Sequence, residues 1–192
     1  KAFVKNTTFD VTKEKVEKIE SNEKDYHTYQ GLEDTDAMSD EVLAKKILAC
    51  EQPMTLMYLC RCICVHRGTA RVTSSLVASV KDIADRLLFV QEIGNSTILW
   101  TDKVCADSFS GYRQAHGRDI TEIPLIEIMN AIILTVREQL SIKTDALTLL
   151  VAKRLGFSRR GSKVDQALKE GLEALLRSKS ILETDGFVRL PE

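Results

Sequence analysis

The sequence predicts an α+β fold, mainly α with small β-hairpins, in which one small domain is built twice. Three observations lead there. Moving the chain 88 residues along itself lays residues 54–88 on residues 142–176 without a gap. Leu59 then meets Leu147, Gly68 meets Gly156, Arg71 meets Arg159, Ser74 meets Ser162 and Lys81 meets Lys169, and two copies of one unit explain this better than chance periodicity. The apolar positions coincide at helical spacing, Ile63 with Val151, Leu76 with Val164, Val80 with Leu168 and Ala84 with Leu172. Each copy then runs into a turn that tolerates positive φ, Gly94-Asn95 or Asp185-Gly186, between short β-prone stretches.

Residues 1–37 form a polar arm: six lysines face nine acidic residues and few positions are apolar, so the segment reads as a solvated arm or linker. Residues 38–101 form the first domain. It contains "DEVLAKKILACE", "MTLMYLCRCICVHRG", "TSSLVASVKDIADRLLF" and "VQEIGNSTILW", with Trp100 closing the hairpin. Residues 102–123 are mixed and polar, as a connector would be.

Residues 124–192 form the second domain. Pro124 suits a first helical turn, and Ile128, Ile132, Leu134 and Val136 make a largely buried helix. After the short extended "SIKT", Thr144 or Asp145 can cap a second helix with Leu147, Leu150, Val151 and Leu155 inward and Gly156 as its stop. Ser162 is the expected cap of a third, with Val164, Leu168, Leu172 and Leu175 in one stripe. "SILETDGFVRL" closes the copy as a hairpin. Helix, short strand, two helices and a hairpin is the winged-helix order, here in tandem.

Net charge is −1, so any pull toward a polyanion must be local. No apolar run nears the roughly 20 residues of a membrane span, and "KAFVKNTTFD" lacks a signal-peptide layout. The expected location is cytoplasmic, without membrane association. A chain opening on Lys1 reads as a piece of a longer polypeptide.

Five cysteines without an export signal favour free thiols. "CRCIC" invites a metal reading, but on a helix Cys60, Cys62 and Cys64 turn about 200° at each step, and no second Cys/His cluster completes a zinc site. His27, His66 and His116 fall in separate segments without catalytic spacing. No phosphate loop of the form G-x-x-x-x-G-K-[ST] is present. The expectation is a fragment with no enzyme activity of its own, no cofactor and no metal.

The sharpest local charge lies in residues 151–180, with eight basic against three acidic side chains. Backbone N–H groups at a helix start favour phosphate, and in helix-turn-helix readers this end faces the bases. The candidate nucleic-acid contacts are therefore Arg159, Arg160, Ser162, Lys163, Gln166 and Lys169. Against them, Glu170 and Glu173 on the outward face repel phosphate. The matching face of copy one, Ser75, Ala78, Asp82, Asp85 and Phe89, suits protein contact better.

"EQPMTLMYLCRCICVHRGTARVTSSLVASV", then "ILW", "IPLIEIMNAIILTV" and "LGFSRRGSKVDQALKEGLEALLRSKSILETDGFVRL", together resemble the C-terminal region of large bacterial superfamily I helicase-like proteins. That region carries an "EGP(I/V)" segment, a "R(V)G.RI" turn before an Ala/Leu-rich helix, and a "LGF.R.G..I" unit. The resemblance covers about residues 40–192. Copy one departs from it, with "EQP" for the glycine form and "TARVTSS" lacking the glycine before the third helix. The resemblance implies an accessory module of a helicase-like parent, with DNA and the rest of that parent as partners. The alternative is a protein-docking or intramolecular regulatory domain that touches no DNA, using an apolar face with Phe89 and Trp100.

Overall fold

In the computed structural model, residues 18–19 and 38–191 are described. They divide into two compact units: residues 38–92 with Ser96–Phe109, and residues 18–19 and Ile93–Asn95 with residues 110–191. The architecture is mixed α+β, with seven α-helices and two three-stranded antiparallel sheets among the described residues. No described helix is long and apolar enough to cross a membrane. The polar arm expected over residues 1–37 lies outside the described residues except at 18–19. Ile19 is fully buried and its carbonyl accepts from Arg137 Nη2 at 2.7 Å, so at this point the chain is not solvated.

In the first unit, α1 (Asp40–Glu51) starts at Ser39, whose Oγ accepts from the Val42 N–H, and carries Asp40 and Glu41 where the helix dipole favours acids. Its Leu43, Ala44, Ile47 and Leu48 form one buried stripe. β1 (Met54–Thr55) leads into α2 (Leu56–His66), capped by Thr55. α3 (Ser74–Leu87) buries Val80, Ile83 and Ala84 against Leu59 and Ile63 of α2 and Leu43 and Ile47 of α1. β2 (Phe89–Ile93) and β3 (Ser96–Trp100) complete the sheet in the order β1-β3-β2, with Met54 opposite Leu99. α4 (Lys103–Ser108) follows, capped by Asp102.

In the second unit, a 3-10 turn (Ile120–Glu122) precedes α5 (Leu125–Gln139), which Pro124 enters from the N-cap position. β4 (Ser141–Lys143), α6 (Thr144–Arg154), α7 (Ser162–Arg177), β5 (Leu182–Thr184) and β6 (Phe187–Arg189) follow, with sheet order β4-β6-β5. Asp185 and Gly186 both take positive φ at the tight turn. The 88-residue shift carries both ends of α2 onto those of α6, the start of α3 onto that of α7, and the end of α1 onto that of α5. The aligned apolar residues therefore dictate the same helices twice.

Three local expectations need correcting. The N-cap of α6 is Lys143, extended and without a side-chain cap; Thr144 and Asp145 already lie within the helix, and the Thr144 hydroxyl donates to Glu183 Oε1 at 2.8 Å. Leu150 lies exposed, on the turn of α6 away from Leu147 and Val151. Trp100 is buried, with its indole N–H donating to Gln91 Oε1 and its ring edge-on to Phe109, so it belongs to the interior of the first unit.

Residues 102–123, polar in sequence, contain α4 and then a segment whose Tyr112, Arg113, Ala115, Arg118, Ile120 and Ile123 are buried in the second unit. All five cysteines are free, and Cys60, Cys62 and Cys64 are all buried despite their divergent directions on α2. Burial, with nearby Cys64 adding to it, pushes the Cys60 thiol up to about 11.

Candidate nucleic-acid interface

Arg159, Arg160, Ser162 and Lys163 lie at the entrance of α7, and Gln166 and Lys169 lie further along the helix. α6 stops where Gly156 adopts φ +87°, a conformation that favours glycine, and residues 158–163 then run exposed into α7. A helix start leaves its first N–H groups without helical partners. In the first unit Thr73 meets this need, its Oγ1 accepting from the Leu76 N–H at 3.2 Å. The matching pair in the second unit is Gly161 and Val164. Gly161 takes the N-cap and has no side chain, so α7 opens without a side-chain cap. Ser162, expected as that cap, is instead the first residue of the helix.

Around this opening the side chains differ in what holds them. Arg159 is exposed and has no hydrogen bond or ion pair among the described residues. Arg160 Nε donates to Asp165 Oδ1 at 2.6 Å, and Lys163 Nζ to Asp119 Oδ2 at 3.1 Å. Further along the outward face, Gln166 donates to Glu170 Oε1 at 3.0 Å and Lys169 stands 3.8 Å from Glu173 Oε1. Exposed pairs like these are worth about 0–1 kcal/mol each, so an incoming phosphate can exchange with the carboxylates at little cost.

Asp119 is the residue that sequence reading missed. It starts the 3-10 turn through a capping box, accepting from the Thr121 N–H at 3.0 Å while Glu122 Oε2 accepts from the Asp119 N–H at 3.0 Å. The Thr121 amide and hydroxyl, helped by Lys163, hold its carboxyl down to about 2. The Asp-x-x-Glu spacing signals such a box. Its meeting with Lys163, 44 residues away, is tertiary and leaves no local trace.

The second hairpin offers phosphate little. Thr144 Oγ1 donates to Glu183 Oε1 at 2.8 Å, and with the Thr144 N–H to Gly186 O bond this pins the hairpin to the start of α6, with Glu183 on its first strand and Asp185 at its turn. In the first unit, Arg71, the counterpart of Arg159, is exposed and its side chain likewise has no partner among the described residues. There, however, the helix is capped, and Asp82 and Asp85 stand exposed along its outer face. Among the described residues no group of three or more His, Cys, Asp or Glu side chains could hold a metal ion.

No protein family, curated protein or solved structure matches the chain. The resemblance to helicase-associated C-terminal regions is carried by the quoted motifs alone.

Proposed function

We propose that the chain is a tandem winged-helix module without catalysis of its own, acting in the cytoplasm as an accessory part of a helicase-like parent. Its second unit contacts the nucleic-acid backbone through the entrance of α7. The observation that carries this reading is the uncapped start of α7, preceded in sequence by the exposed Arg159, which has no hydrogen bond or ion pair among the described residues. Unsatisfied N–H groups and a free guanidinium favour a phosphate oxygen, while Arg160 and Lys163 can join by exchanging their carboxylates. Lys169, Gln166 and Ser162 then track the same face.

The test is fluorescence anisotropy of labelled duplex, forked and single-stranded DNA over a salt series. Binding that weakens linearly in log K against log salt supports the reading. Absence of binding to all three DNAs at low salt rejects it.

A second reading, protein docking, draws on α6 and β6. Leu149, Leu150 and Phe187 are each more than one-third exposed in the second unit, as are Met57 and Val65 on α2 of the first. The expected face with Phe89 and Trp100 is not available for this role, since Trp100 is internal and Phe89 half-buried.

A further inference from the structure

We propose that Asp119 is a resident competitor for the anion taken at the entrance of α7, so that Lys163 is released more readily to a ligand presenting several phosphates together than to a single free phosphate. The inference rests on the phosphate-contact reading above, and adds to it the ligand class and the element that controls access.

The segment before Asp119 is strapped to the second unit by buried polar contacts. Arg113, 3% exposed, donates from its backbone N–H to Glu127 Oε2 at 2.7 Å and from Nη2 to Oε1 at 2.5 Å, with Glu127 itself fully buried on α5. One turn along α5, the buried Asn130 donates from Nδ2 to Gly111 O at 2.8 Å. The Ala115 N–H donates to Leu155 O at the end of α6, and Arg118 donates back to Ala115 O and Gln114 O. The strap lies in ordinary contact range of Gly156, where a Cβ would meet Ala115 N at 3.6 Å and Gln114 Cβ at 3.7 Å. The counterpart of Gly156, Gly68, faces open space.

This strap delivers Asp119 in a fixed orientation. One carboxylate oxygen is occupied by the Thr121 N–H and hydroxyl, which leaves the other directed at Lys163. The Thr121 bonds and the capping box hold this carboxylate through contacts that do not involve Lys163, so it competes with little entropic penalty. A single free phosphate that displaced it would only exchange one anion for another. A nucleic-acid backbone differs because it can hold Arg159 and the helix amides at the same time, then exchange with Asp119 at Lys163 and with Asp165 at Arg160. The exchange also changes the salt dependence: a cation released from the duplex is offset by one drawn to the bared carboxylate.

The experiment is a double-mutant cycle on the full chain, with Asp119→Asn, Lys163→Ala and the pair together, read by anisotropy with a labelled duplex and competed with inorganic phosphate. Asparagine keeps an oxygen for Thr121, and Asp119→Ser serves as a second variant that retains the cap; circular dichroism checks folding. The expected result is a gain of about two- to five-fold in duplex affinity for Asp119→Asn, the size set by one exposed ion pair. Its log K against log salt slope should steepen by up to about 0.9. Neither change should appear in the Lys163→Ala background, and phosphate should compete poorly with duplex on the wild type. If the wild type binds duplex and Asp119→Asn leaves affinity and slope unaltered, or the gain persists without Lys163, the competitor role is wrong while the phosphate-contact reading stands. If no variant binds duplex, both fall.

Discussion

The two units share an element order and four helix boundaries, yet differ at the start of their third helices. Thr73 closes α3 with its hydroxyl, whereas Gly161 leaves α7 open. Around these starts, an exposed arginine sits in the same aligned position, Arg71 or Arg159, but only Arg159 stands beside free helix amides and two further basic side chains. The aligned apolar residues specify a scaffold, and a few unaligned polar residues decide what each copy can touch.

The largest difference between the units is energetic. The second has a buried Arg113–Glu127 pair. Removing one partner of a buried pair costs about 3–5 kcal/mol because the other charge is left unpaired. Glu127→Ala should therefore lower the unfolding free energy of the second unit by that amount in urea titrations. A loss below about 1 kcal/mol, the level of an exposed pair, would show that the strap is not held by this contact.

Helix packing differs next. Ile83 of α3 aligns with Gly171 of α7, and a Cβ at Gly171 would lie 3.1 Å from both Ile128 Cγ2 and Ile132 Cδ1 on α5. Gly171→Ile, which imports the first unit's residue, should cost about 1–3 kcal/mol by overpacking. Thermal denaturation measures it, and an unchanged midpoint would mean that α5 and α7 separate freely.

Exchanging the caps should give smaller effects. Thr73→Ala should cost about 1 kcal/mol, while Gly161→Thr should gain only a few tenths. Because the new hydroxyl would take the Val164 N–H, Gly161→Thr should also weaken duplex binding. Equal or stronger binding by that variant would remove the helix amides from the account.

The smallest effect is the acid limb of stability. Asp119 has a folded-state value near 2, below the ordinary value of about 3.9. A depressed carboxyl contributes stability above its unfolded value and loses it as pH falls through the folded one. Asp119→Asn should therefore flatten stability against pH between about 4 and 2, modestly because the group is well solvated. A mutant profile parallel to the wild type there would place the depression elsewhere.

The helices were legible in the sequence because burial and period coincide: Val164, Leu168, Leu172 and Leu175 predicted the buried stripe of α7, and Asp185-Gly186 the turn of the second hairpin. Of the six candidate residues, Arg159, Arg160, Lys163 and Lys169 were legible as a charge cluster, but the carboxylates that pair with them were only partly so. Glu170 and Glu173 lie on the same helix and could be seen. Asp119 could not, since its approach to Lys163 depends on a strap held by Arg113 and Glu127, residues separated by 14 positions in a segment that reads as polar connector. Gly161 could have been found: laying the copies together puts it opposite Thr73, and the missing hydroxyl is visible there.

The aligned arginines provide the most direct test. Arg71→Ala and Arg159→Ala remove the same side chain from the same position of the repeat, and duplex binding of each is followed by anisotropy over a salt series. Arg159→Ala should weaken binding and lower the salt slope by about 0.9, while Arg71→Ala should change neither. Equal losses from both substitutions, or an unchanged slope in Arg159→Ala, would contradict the assignment of nucleic-acid contact to the open entrance of the second unit.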